Sequence, residues 1–347
     1  IYTGAISRNC ELLAQRAPLC AVLKADGYGH GALAAARAAR AGGADWLAVA
    51  TAGEAVALRE AGIDGRLLVM GAMTPEETGA ALAARADVVA WTPEFLAGLP
   101  DEARVHVKLD TGMGRLGVKE AEGAAALARA AGERLAGLMT HFATADERGD
   151  DYLPAQIERF REWAVPLKGE RPDLVLHAAN SAATLREEAA LFDMVRCGVA
   201  IYGLDPFQED PRAHGLEPAL ALGSWLAAVR PFQPGESAGY GRSWSAASPT
   251  WIGTVPIGYG DGWRRALSNS ADVLIGGRRY PLVGTVSMDN VTVDLGPDPD
   301  VGVGEHVCLI GSQNGETILA EEVAQRLGTI NYEVTCALTP RVRRDLV

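Results

Sequence analysis

A (β/α)8 TIM-type barrel followed by a mainly antiparallel β domain is the fold this sequence predicts. Three observations point there. Short apolar runs alternate with helical patterns through the first part of the chain, and eight such runs are what a closed parallel barrel needs. Near Pro218 the pattern changes to alternating strands punctuated by glycine and proline. Polar residues also gather at the ends of the first set of runs, where the active sites of barrels form.

The expected barrel strands are Leu19–Leu23, Trp46–Val49, Leu67–Met70, Val88–Trp91, Val105–Leu109, Leu135–Thr140, Leu174–His177 and Met194–Arg196. Helical patterns lie between them at Gly31–Ala41, Ala52–Glu60, Pro75–Ala84, Glu120–Ala131, Pro154–Trp163 and Ala182–Glu188. An open doubly wound sheet is the alternative, but Gly27-Tyr28-Gly29-His30-Gly31 does not match its dinucleotide fingerprint. Later strands are expected at Trp225–Val229, Trp251–Pro256, Asp272–Ile275, Tyr280–Ser287, Val291–Leu295 and His306–Ile310, with one helix around Ile318–Leu327. The expected domains are therefore 1–217, the barrel, and 218–347, the β domain.

Composition narrows the function. Among 347 residues the net charge is -12, with no basic stripe, which argues against nucleic acid or an anionic membrane surface as partner. No apolar run approaches the length of a membrane span. The cysteines Cys10, Cys20, Cys197, Cys308 and Cys336 are odd in number and widely spaced, as in a reduced cytoplasmic enzyme, and no signal-peptide pattern is present. Ile1 stands where an initiating Met would, so preceding sequence is expected. No HExxH or comparable cluster suggests a metal.

The rim residues carry the chemistry. Lys24 ends the first strand, Lys108 and Asp110 the fifth, His141 the sixth, His177 with Asn180 and Ser181 the seventh, and Arg196 with Gly198 the eighth. A lysine at a barrel rim is suited to Schiff-base chemistry, and the loops after strands seven and eight are the usual phosphate cradle. Together they point to pyridoxal 5'-phosphate. A donor-only arginine at the pyridine nitrogen would keep that nitrogen unprotonated and restrict the reaction to moving one Cα proton. Other roles are open at this point: Asn180-Ser181 can be a helix cap, and His141 and His177 can be structural.

Nine blocks in order carry a closer likeness: Ala21–Gly31, Lys108–Gly117, His141–Asp146, His177–Ser181, Met194–Gly203, Ser237–Trp244, Pro256–Gly262, Gly284–Asp289 and Thr329–Glu333. Through them the sequence resembles bacterial alanine racemase, a fold-type III pyridoxal-phosphate enzyme, over almost its whole length. The resemblance implies that Lys24 carries the cofactor and is one catalytic base, and that Tyr240 is the opposing base, supplied by the partner subunit of an obligate homodimer. It implies phosphate contacts from Tyr28, Ser181, Gly198, Val199 and Tyr332, with Asn180 beside them. Arg196 matches the arginine at the pyridine nitrogen, His177 the histidine bracing it, and His141 the histidine coupling it to the tyrosine. Arg115 and Met288 match groups that receive the substrate carboxylate, and Lys108 a lysine often carbamylated to fix that arginine. Tyr259, Arg265 and Asp289 resemble entry-corridor residues. Without the likeness, Tyr259 could anchor a glycine loop, Met288 fill core and Arg115 form a rim ion pair.

Two departures stand out. Cys197 replaces a proline common in the family, and a strand that precedes Ala5-Ile6 in the family is missing from this sequence. The implied activity is interconversion of L- and D-alanine. The alternatives are a racemase with a wider pocket, a pyridoxal-phosphate decarboxylase, a metal-free Schiff-base aldolase and a non-catalytic cofactor-binding protein.

Overall fold

The computed structural model describes residues 1–347 and divides into two compact units. One comprises Thr3–Phe207 with Arg212–Glu217; the other comprises Pro218–Val347 with Ile1–Tyr2 and Gln208–Pro211.

The first unit holds eight parallel strands: β1 Leu19–Val22, β2 Trp46–Val49, β3 Arg66–Val69, β4 Asp87–Ala90, β5 Val105–Lys108, β6 Leu135–Met139, β7 Val175–His177 and β8 Val195–Cys197. Their order is β7-β6-β5-β4-β3-β2-β1-β8. The seam between β7 and β8 is drawn shut by a parallel bridge between His177 and Met194 and by the Arg196 N–H donating to the Ala179 carbonyl at 2.9 Å. The result is a nearly closed barrel whose strands are buried on both faces, which is why β1 and β2 read as continuous apolar runs.

Helices cover the barrel. Ala32–Ala41 packs through Ala35, Ala36, Ala38 and Ala39, small residues with high helix propensity. Thr51 with Glu54 and Thr74 with Glu77 form capping boxes that start Ala52–Glu60 and Pro75–Ala83. A helix not expected above, Thr3–Ala14, buries Ile6, Cys10 and Leu13 at helical spacing. Tyr152–Glu170 runs past its expected end at Trp163 and through Pro166, held by buried Trp163, Ala164 and Leu167.

The second unit contains β9 Leu222–Trp225, β10 Ala228–Phe232, β11 Ser237–Ala238, β12 Trp244–Ser245, β13 Thr250–Val255, β14 Asp272–Ile275, β15 Arg278–Val283, β16 Val291–Gly296, β17 His306–Gln313 and β18 Glu316–Ile318. An antiparallel path runs β10-β13-β16-β15-β14-β17-β18, β9 pairs with β17, and β11-β12 is a separate hairpin. The expected strand Trp225–Val229 is two strands: the Leu226 N–H donates to the Glu305 carbonyl and the Ala227 N–H to that of Thr254, so the chain changes partners there. The run expected to reach Ser287 stops at Val283, because Gly284 has φ 78° and a Cβ there would lie 2.6 Å from the Ala238 carbonyl oxygen. Ile318 belongs to β18, and the helix following it is Ala320–Leu327, ended by left-handed Gly328.

Candidate active site

The residue after β1 is Leu23, whose N–H still pairs with the Ala48 carbonyl at 2.8 Å. Lys24 comes next, half-buried, with Nζ 5.9 Å from the centre of the Tyr28 ring. The backbone then turns left-handed through four consecutive residues: Ala25 (φ 54°), Asp26 (51°), Gly27 (61°) and Tyr28 (53°). Three of these carry a Cβ, and the left-handed conformation costs roughly 1–2 kcal/mol for each. The turn is held by Gly27 N–H to the Leu23 carbonyl (2.8 Å), Gly29 N–H to that of Ala25 (3.0 Å) and Gly31 N–H to that of Asp26 (2.8 Å). The Ala25 N–H donates to Glu54 Oε1 at 2.7 Å, and Asp26 Oδ1 accepts from the Ala32 N–H to start the next helix.

Arg196 on β8 is buried, yet no carboxylate touches it. Nη1 donates to His177 Nδ1 (3.0 Å) and to the His177 carbonyl (2.8 Å). Nη2 donates to the carbonyls of Thr140 (2.8 Å) and Ala178 (3.0 Å) and to His141 Nδ1 (3.2 Å). Burial lowers its pKa to about 10, so it remains a cation at neutral pH. A guanidinium only donates, so Nδ1 of both histidines must be the accepting nitrogen and their protons sit on Nε2. That leaves Arg196 Nε–H as the one donor with no bond inside the protein.

The polarity set at Arg196 continues across the barrel interior. His177 Nε2 meets His106 Nδ1 at 2.7 Å, and His106 Nε2 meets Asp87 Oδ2 at 3.1 Å. The protons in this chain therefore point toward Asp87, which also accepts from Arg66 Nη2 at 2.6 Å. Burial opposes charge on the Asp87 carboxyl, but the His106 bond and the positive groups around it, Arg66 and Arg104 included, hold its pKa below the usual range. Burial keeps His106 and His177 neutral, the latter helped by neighbouring His106 and Arg196. Gly137 on β6 makes the room: a Cβ there would stand 2.4 Å from His106 Nδ1.

Lys108 at the end of β5 is buried, and burial followed by the charges of Arg196 and Arg115 brings its pKa down to about 8. Asp110 does not pair with it; its carboxylate accepts from the N–H groups of Gly112 and Gly114 within its own loop, at 3.0 Å each. Arg115 is exposed on that loop. His141 is held well below the usual histidine range by burial and then by Arg196, Lys108, Arg115 and Lys24, whose charges all reach it. The strand-end residues thus meet around one mouth.

Beside it the loop after β8 meets the start of the helix after β7. Ser181 Oγ accepts from the N–H groups of Gly198 (3.1 Å) and Ala200 (3.3 Å), and the 3-10 turn Val199–Tyr202 begins there. Gly198 is required by close approach: a Cβ would lie 2.2 Å from Tyr28 Oη. Asn180 caps the helix Ser181–Arg186 by accepting from the Ala183 N–H. Cys197 is buried, donates to Thr184 Oγ1, and has its pKa raised to about 12 by burial, so it is a packing residue rather than a nucleophile.

The other expected residues lie in the β unit. Tyr240 opens a turn whose carbonyl accepts from Thr285 Oγ1 at 2.8 Å, and its side chain is 72% exposed. Exposed Tyr259 and Met288 are joined through backbone: the Tyr259 N–H donates to the Ser287 carbonyl and the Gly260 N–H to that of Met288. Asp289 pairs with Arg341 at 2.8 Å, Arg265 opens a 3-10 turn, and Tyr332 lies in the helix Asn331–Cys336.

Comparison with known proteins decides the family. A profile described as "Alanine racemase, N-terminal domain" matches residues 1–206, and one described as "Alanine racemase, C-terminal domain" matches 219–346. The chain belongs to the alanine racemase family. It is 43% identical to the alanine racemase of Symbiobacterium thermophilum, over 98% of this chain and 94% of that protein. It is 42% identical to alanine racemase 1 of Bacillus subtilis, covering 98% and 89%. Among solved structures, alanine racemase from E. faecalis superimposes with TM-score 0.92 at 37% identity, covering 100% of this chain and 97% of that one. The Bacillus anthracis enzyme, solved with bound L-Ala-P, gives 0.91 at 35%, covering 100% and 94%. Membership makes this protein an isomerase of the racemase type.

Sequence reading had not singled out His106, Asp87 or Glu54 in this alanine racemase fold. A signal existed for each. His106 and Lys108 are two apart in β5 and so share a face, Asp87 is a carboxylate opening an otherwise apolar strand, and Glu54 stands three residues after Thr51 in a capping-box spacing. No helix is long and apolar enough to cross a membrane, and no cluster of three or more His, Cys, Asp or Glu side chains could hold a metal.

Proposed function

We propose that this protein interconverts L- and D-alanine with pyridoxal 5'-phosphate, working in the cytoplasm as an obligate homodimer. The observation that carries the reading is Arg196: buried, bonded only to neutral acceptors, and left with an unused Nε–H at the barrel mouth. The residues present fit the cofactor. Lys24 offers the amine for its aldehyde, and Tyr28, Ser181, Gly198, Val199 and Tyr332 would hold its phosphate with Asn180 beside them. Gly198, where a Cβ would lie 2.2 Å from Tyr28 Oη, lets that phenol lie against the loop after β8, which supports this. When bound, the cofactor supplies a conjugated ring that acidifies the substrate Cα–H.

The protein's own groups account for the stereochemistry. Lys24 Nζ takes the Cα proton of D-alanine, and Tyr240 Oη, from the partner subunit, takes that of L-alanine. In each direction one group removes the proton and the other supplies one from the opposite face, so the centre inverts. The marked exposure of Tyr240 on its own chain supports a role across a subunit interface. A phenol is a poor base at neutral pH, and His141, with Nδ1 occupied by Arg196, has an Nε2–H free to stabilise the phenolate. Arg196, a donor only, would face the cofactor's pyridine nitrogen and keep it unprotonated, which would favour simple return of the Cα proton.

Arg115 and Met288 receive the substrate carboxylate, while Tyr259, Arg265 and Asp289 line the approach. Lys108, with its pKa near 8, has a substantial neutral fraction able to take up CO2. A new N–C bond forms and one N–H proton leaves to solvent, giving Arg115 an anionic neighbour.

The test is purified protein supplied with pyridoxal phosphate and a panel of L-amino acids. The expected result is a visible band abolished by borohydride, fastest racemisation of alanine, and activity lost on dilution to monomer. No band, or no racemisation of L-alanine, overturns the reading.

A further inference from the structure

Glu54 joins two parts of the barrel rim. Oε1 accepts from the Ala25 N–H at 2.7 Å, the first amide after Lys24. Oε2 accepts from the N–H groups of Ala50 at 2.8 Å and Thr51 at 3.1 Å, beyond the end of β2. Its own N–H donates to Thr51 Oγ1. An ordinary capping box needs only the bonds to and from Thr51. The bond to Ala25 is additional, and it reaches the residue where the left-handed run begins.

We propose that Glu54 is a positioning residue for Lys24: its carboxylate fastens the left-handed turn to the β2 rim and thereby fixes where the lysine amine stands. The chemistry favours a carboxylate over any neutral side chain. Two oxygens accept three N–H donors on two segments, and a charged acceptor makes the stronger bonds. Glutamine has a single acceptor oxygen and must turn an NH2 toward one of the two segments. Bonds among Leu23–Gly31 close the turn on itself and Asp26 Oδ1 holds the Ala32 N–H, while Glu54 adds a tie between the turn's first amide and the neighbouring strand. This deepens the proposed function, since it specifies how the cofactor lysine is aimed.

The experiment compares Glu54→Gln with Thr51→Ala, which removes the cap but keeps the carboxylate. Amide hydrogen exchange of the cofactor-free protein is the first readout. Glu54→Gln is expected to speed exchange across residues 25–29 at least tenfold relative to the remaining barrel, whereas Thr51→Ala changes mainly the first turn of Ala52–Glu60. The second readout is equilibrium binding of pyridoxal phosphate followed by absorbance. There Glu54→Gln is expected to weaken affinity about tenfold and Thr51→Ala by less than threefold. Indistinguishable variants in both readouts would show Glu54 to be a cap alone and overturn the proposal. Wild-type protein that takes up no pyridoxal phosphate would instead defeat the cofactor assignment, and the exchange result would still decide the role of Glu54.

Discussion

Replacing His106 with leucine tests whether the buried chain from Arg196 to Asp87 is a set of directed hydrogen bonds rather than tolerated crowding. The substitution keeps an apolar volume close to that of the imidazole but removes both ring nitrogens. His177 Nε2–H then loses its acceptor at 2.7 Å, and Asp87 Oδ2 loses its donor at 3.1 Å. An unpaired buried donor costs about 1–3 kcal/mol, and a lost bond to a charged group about 1.5 kcal/mol; Arg66 still serves Asp87, so no further penalty is assigned. The sum is roughly 2.5–4.5 kcal/mol. For a unit of this size each kcal/mol lowers Tm by about 2–4 °C, which gives a fall of roughly 5–18 °C by calorimetry on the cofactor-free protein. His106→Gln, whose amide can accept from His177 and donate to Asp87, should recover most of it. Nitrogen NMR of the wild type should report Nε2–H tautomers at both His106 and His177. A leucine variant that melts with wild type, or imidazolium signals at neutral pH, would refute the reasoning.

Three other outcomes follow from the same geometry. His106 and His177 are held neutral in the fold, so unfolding takes up protons once pH drops below about 6.5. Their contribution is complete above that pH and declines as pH falls, by up to about 1.4 kcal/mol per pH unit for each histidine, which urea midpoints at successive pH values will show. Tyr240→Phe should suppress racemisation severely in both directions while the bound-cofactor spectrum stays unchanged; near-normal turnover would remove the two-base assignment. Gly198→Ala should displace Tyr28, since its Cβ would lie 2.2 Å from that phenol oxygen, and so weaken cofactor binding measured by equilibrium dialysis more than it lowers Tm.

The barrel was legible because most of its strands are short, largely apolar runs buried on both faces, as at Leu19–Val22 and Val88–Ala90. The rim residues were legible because strand ends in a barrel share a mouth, so Lys24, Lys108, His141, His177 and Arg196 could be grouped without coordinates. The chain His177–His106–Asp87 was not. Its members sit on β7, β5 and β4, and their contact depends on barrel closure and on Gly137 clearing a path between them. The left-handed turn was hidden for another reason: Ala25 and Tyr28 carry no local signal for positive φ, and the bonds that hold the run, within Leu23–Gly31 and from Glu54, become visible only in the fold. The strand break at Leu226–Ala227 escaped notice because both halves are apolar and only their partners differ.

Residues 25, 26 and 28 adopt a backbone conformation that L-amino acids reach under strain and their mirror images reach at rest. A semisynthetic chain carrying D-alanine at position 25 would therefore relieve a local cost rather than introduce one. The segment that bears Lys24 is thus a place where inverted chirality in the polymer itself is structurally welcome.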